Sequence, residues 1–97
     1  MEIFKLETFV RHLNSRFLIK RDQSDPVEVE LIEAEDLKST PRLEQFSIIF
    51  RGPLDPPLPQ ATYEFEHAEM GDMHLFIVPI RRDQDGMYYE AIFNLPI

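Results

Sequence analysis

Four of the eight prolines in this 97-residue chain fall in one connector, Phe50-Arg51-Gly52-Pro53-Leu54-Asp55-Pro56-Pro57-Leu58-Pro59-Gln60-Ala61-Thr62-Tyr63. Proline holds φ near one value and donates no backbone hydrogen bond, so this run cannot enter a ladder and reads as a stiff, extended crossing. Strand-like segments flank it on both sides. The fold must therefore join two strands by a rigid bridge rather than a tight hairpin.

The segments around the bridge alternate. Arg16-Phe17-Leu18-Ile19-Lys20 is a short strand, Arg21–Pro26 carries turn chemistry, and Val27-Glu28-Val29-Glu30-Leu31 places apolar residues on one face and glutamates on the other. The adjacent Leu31-Ile32 breaks the alternation, and Ile32 and Ala34 then take over the apolar positions, which predicts a β-bulge near Leu31. Phe46-Ser47-Ile48-Ile49-Phe50 is apolar enough for the middle of a sheet, and Thr62–His67 alternates with Tyr63 and Phe65 inward. Met73–Ile80 is apolar on both faces, which predicts burial on both sides or a place at an interface. Pro79 requires that strand to end there or to lie at an edge. Asp83-Gln84-Asp85-Gly86 reads as a hairpin loop leading into a last strand, Met87–Asn94.

Only the N-terminal segment has a helical period. Leu6, Phe9, Val10 and Leu13 share one face, Glu7 and Arg11 suit the two ends of the dipole, and Asn14 is a suitable stop. Two turns are not stable alone, so this helix must dock as a lid on an open end or face of a sheet. The expected fold is mainly β. A short N-terminal helix precedes about six antiparallel strands that form a barrel-like or sandwich-like meander, all in one domain spanning residues 1–97.

Composition narrows function mainly by exclusion. There is no cysteine, so disulfides, thiolate metal sites and a cysteine nucleophile are ruled out. The formal net charge of −8 disfavours nucleic acid and anionic membrane as partners. The acid-containing start Met1–Glu7 lacks an apolar leader and no run is long enough to span a bilayer, so a cytoplasmic location is expected. No cofactor is expected.

Few residues suggest chemistry. His67 and His74, beside Glu66, Glu69 and Asp72, form the one cluster resembling metal ligands, but their spacing matches no short histidine pairing and suits solvated hairpin positions equally. Asp83–Gly86 imitates a calcium loop. Aligning Gly86 with that loop's glycine, however, places Arg81 and Ile92 where carboxylates are required. None of Ser15, Ser24, Ser39 and Ser47 lies in a nucleophile elbow. Arg51, at a strand end near Asp55, Glu64 and Glu66, suits either an internal ion pair or an anion contact. Pro56-Pro57-Leu58-Pro59 serves either as a structural crossing or as a polyproline ligand for an aromatic groove.

Phe50-Arg51-Gly52-Pro53, Pro57-Leu58-Pro59-Gln60-x-Thr62-Tyr63, His67, Phe76-x-Val78-Pro79 and Gly86-Met87-x-Tyr89-Glu90-Ala91-x-Phe93-Asn94 together resemble a family of small uncharacterised bacterial domains. Ala61 stands where that family tends to have glycine. The resemblance covers nearly the whole chain and implies no chemistry; it implies an accessory role in a phage-tail-like assembly. The expected function is a non-enzymatic protein-interaction or structural module with a protein partner. Arg51, Pro56, Pro57, Leu58, Phe76 and Val78 are its candidate contact residues, and a homo-oligomer through a strand edge is the expected form of self-association. The alternative is a small-ligand or metal-binding β-barrel in which His67, His74 and Arg51 converge on a pocket.

Overall fold

A computed structural model describes residues 4–96; the reading of Met1–Ile3 as free of an apolar leader lies outside the described residues. One short helix, α1 (Leu6–Arg11), is followed by β1 (Arg16–Arg21), β2 (Ser24–Asp36), β3 (Leu43–Gly52), β4 (Ala61–His67), β5 (Gly71–Asp83) and β6 (Gly86–Pro96). The strands close into a ring in the order β1-β2-β3-β6-β5-β4, and every neighbouring pair is antiparallel. The ring is irregular. β3 and β6 pair along their whole length, whereas β1 and β4 meet at only Leu18↔Glu66 and Ile19↔Phe65.

The expected mainly β fold of one short helix and six antiparallel strands is found, and within it the meander runs as two three-stranded parts, β1-β2-β3 and β4-β5-β6. β3 and β4, consecutive in sequence, stand on opposite sides of the ring. The proline segment joins them, so it crosses the mouth of the ring. Leu58 dips from that crossing into the core with 4% of its surface exposed, and its N–H donates to the Tyr89 hydroxyl at 2.9 Å. Tyr63 in turn donates to the Pro59 carbonyl at 2.7 Å. The Asp55–Pro56 peptide is cis.

At the other mouth lies α1. Its Phe9 is fully buried and packs against Phe46 and Phe93 with ring centroids 5.9 and 5.3 Å away. The Leu6 N–H donates to Glu44 on β3, which secures one of the free donors of the first turn. The helix ends at Arg11 with His12 as its C-cap, before the expected stop at Asn14; Asn14, at φ 68°, lies in the turn that follows, and its N–H donates to the Leu31 carbonyl. Between the two plugs, Phe17, Phe50 and Phe65 fill the ring in tilted and edge-to-face pairs.

Two irregularities set which side chains face outward. The register of β2 against β3 shifts between Leu31 and Glu33, so Ile32 is the extra residue and the predicted bulge is present. Leu31 before the bulge and Ala34 after it both face the interior, which turns Glu33 and Glu35 outward. A second shift, between Pro79 and Arg81, lets β5 pass through Pro79 and continue to Asp83. Of the two expectations for Pro79, the strand does not end there and the edge is found: β4 pairs with β5 only as far as Ala61↔Ile77, so Pro79 has a neighbour on the β6 side alone.

Candidate functional site

The described residues include no group of three or more metal-ligating side chains that could hold an ion, and the geometry explains why. β4 and β5 form a hairpin with His67↔Gly71 and Glu64↔His74 in register. His67 has the parity of Phe65 and points inward, 6% exposed, whereas His74 has the parity of Asp72 and Phe76 and points outward. The two histidines lie on opposite faces of one sheet. Arg51 is elsewhere, on β3 opposite Glu30, and its Nη2 donates to the Glu30 carboxylate at 2.8 Å. Convergence of His67, His74 and Arg51 on a pocket is therefore corrected. For Arg51 the internal ion pair is the arrangement found.

His67 sits in a polar knot at the helix end. Its Nδ1 accepts from the N–H groups of Glu69 and Met70 at 3.0 and 3.1 Å, closing the β4–β5 turn. Its Nε2 lies 2.9 Å from Ser15 Oγ, whose own hydrogen goes to the His12 carbonyl at 2.5 Å. This network places the ring proton on Nε2. Burial, reinforced by the neighbouring His12, pushes His67 below its ordinary value, and Glu69 opposes that shift. The distance from Ser15 to His67 resembles a nucleophile and its base, but the polarity is reversed. A general base needs a free Nε2 lone pair and a proton on Nδ1 directed at an acceptor. Here two backbone donors occupy Nδ1. The pair ties helix to hairpin and cannot activate the serine.

Of the six contact candidates, Leu58 is corrected to a core plug, and Arg51 is held by Glu30. Pro57 is exposed and Pro56 half-buried on the crossing. Phe76 and Val78 remain, on a face whose composition is unusual. β5 buries Met73, Leu75 and Ile77 and turns Phe76 (51% exposed) and Val78 to the outside. The expectation for this strand thus resolves to one buried face and one apolar outer face. Across the sheet, Val78 pairs with Glu90, Glu90 with Ile49, and Ile49 with Glu33. Beyond Val78↔Glu90 the β5–β6 ladder ends: Phe76 pairs with Thr62 on β4, while Ile92 (59% exposed) pairs with Ser47 on β3, which faces Glu35 on β2.

Ile49, Ile92, Glu33, Glu35 and Glu90 were missed by reading the sequence. Their one available signal was Ile92 at an outward position of an alternating strand. That β6 lies between β3 and β5, which makes these residues neighbours, has no local signature.

Some acids elsewhere on the surface have a cation beside them. Arg16 pairs with Glu28, Arg51 with Glu30, and Lys20 with Glu64, Glu66 and Asp72. Hydrogen bonds that Lys20 donates to Glu64 and Glu66 raise it above the ordinary lysine value. Glu33, Glu35 and Glu90 make no ion pair among the described residues, and neither do Glu7, Asp22, Asp25, Asp36, Glu44, Asp55, Asp83 and Asp85; what sets the three apart is their place among Ile49, Val78 and Ile92.

Residues 4–93 match the family described as a domain of unknown function (DUF6916), and the chain belongs to that family. No curated protein and no solved structure matches it.

Proposed function

We propose that this member of the family is a non-enzymatic protein-interaction module that docks a protein partner on the outer face of β5, β6 and β3. The observation that supports the reading is a group of apolar side chains on one outer face, Phe76 and Val78 on β5, Ile92 on β6 and Ile49 on β3, with Phe76 and Ile92 exposed and Glu90 set between Val78 and Ile49. Exposed apolar side chains grouped on a rigid sheet are a common mark of an interaction site, whereas scattered ones need no explanation. The interior supports the same reading, because aromatic rings, Leu58 and Phe9 fill it and the polar knot at His67 is satisfied within itself. An accessory place in a phage-tail-like assembly is the setting that the sequence resemblance implies for such a module.

The test is site-specific photo-crosslinking in cells, with a benzoylphenylalanine at Phe76, Ile92, Pro57 or Asp22. Adducts are expected from positions 76 and 92 and not from 22. Adducts from position 57 alone would move the docking surface to the proline crossing, and none from 76 and 92 would end the reading.

A further inference from the structure

We infer that the partner surface is basic as well as apolar: it presents lysine or arginine side chains beside the apolar ones that cover Phe76, Val78, Ile92 and Ile49. The inference rests on the docking face proposed above and adds the chemistry of what binds there. Its basis is the position of three carboxylates without a cation within the apolar rows of that face. Glu28, Glu30, Glu64 and Glu66 already have a cation within hydrogen-bonding or ion-pair distance, while Glu33, Glu35 and Glu90 have none among the described residues. Those three carboxylates are interleaved with the apolar residues. Glu33 and Glu90 stand on either side of Ile49, and Glu90 separates it from Val78.

The bulge at Ile32 gives this placement a structural origin. Without the extra residue, the regular alternation of β2 would turn Glu33 and Glu35 inward; with it, they lie beside Ile49 and Ser47. A partner covering the apolar row must remove water from Glu90 at its centre. Desolvating a carboxylate is costly unless a cation replaces the water, so an uncharged apolar partner is disfavoured there. A second copy of this chain is disfavoured for the same reason, since a twofold contact would bring the unpaired glutamates of one copy against those of the other, on a chain of net charge −8.

The experiment titrates the ¹⁵N-labelled full chain with three short peptides that alternate lysine with valine, glutamate with valine, and lysine with serine. Saturable shifts are expected at Ile49, Val78, Glu90 and Ile92 with the lysine–valine peptide alone. The triple variant E33K/E35K/E90K is expected to weaken binding at least about tenfold at low salt. F76S is expected to weaken it with the acids intact, and both variants alter exposed side chains, so unchanged spectra elsewhere verify the fold. Shifts spread over Asp22, Asp25 and Glu28, or binding indifferent to the triple variant, would overturn the basic partner. So would a dimer in sedimentation that F76S dissolves, because it would assign the face to a second copy. If crosslinks form from positions 76 and 92 while charge reversal changes nothing, the docking face stands and only the partner's chemistry falls.

Discussion

Gly86 allows the β5–β6 hairpin to close against β3. Its φ is 156°, and a Cβ there would overlap the Gly52 carbonyl oxygen and press on the Arg51 side chain. The Gly52 carbonyl cannot easily yield, since Gly52 is held in the β3–β6 ladder opposite Met87. Gly86→Ala is therefore expected to destabilise by at least about 2 kcal/mol in urea denaturation. Gly71 also has positive φ but has open space around it, so the strain at Gly71→Ala comes from backbone conformation alone and should cost less.

His67 makes a pH-dependent contribution of definite sign. Its folded-state value lies below the unfolded value of 6.5, so between the two the unfolded chain binds more protons. Its stabilisation is complete above pH 6.5 and is lost as pH falls through the lower folded value. Protonation would also set Nδ1–H against the Glu69 and Met70 donors, while His12, Ser15 and Glu69 complete the groups facing the ring. His67→Asn retains an acceptor and cannot titrate, so its urea midpoint should fall less than that of the parent chain between pH 7.5 and pH 5. Equal falls would show that other groups govern the acid limb.

At the scale of elements, the ring is closed by two plugs of different origin. The helix is too short to persist alone and exists because Phe9 enters the aromatic cluster at its mouth. The proline crossing has no ladder of its own and is fixed by Leu58 and the Tyr89 hydroxyl. Leu58→Ala should cost about 2–4 kcal/mol, whereas Pro57→Ser, at an exposed position on the crossing, should lie within about 0.5 kcal/mol. Thermal and urea unfolding of the pair separates a structural crossing from a merely covering loop. Much of this level was legible beforehand. The period change after Asn14, the alternation of β2 and β4, the bulge at Ile32 and the stiff crossing all follow from local residue order. Whether β5 would end at Pro79 or pass it as an edge was not decided by the sequence, because that depends on where β4 stops.

For the whole molecule, ring closure pairs each strand on both sides for at least part of its length, which leaves short edges. With net charge −8, the isolated chain is expected to sediment as a monomer at micromolar concentration. A dimer insensitive to F76S would instead point to the two sparsely paired seams, β1 with β4 and the outer half of β6, where a strand edge is most open.

The sequence by itself determined the class of the fold, its single core and the stiffness of its main crossing, because side-chain period and proline geometry act within a few residues. Only the tertiary structure decided that β3 and β4 lie across the ring, that β6 joins the two meanders, and that His67 and His74 face apart. It alone gathered Ile49, Val78, Phe76 and Ile92 with three unpaired glutamates on one face. Such groupings depend on which strands become neighbours, and that order is set by the closure of the whole ring around its aromatic core rather than by any local run of residues.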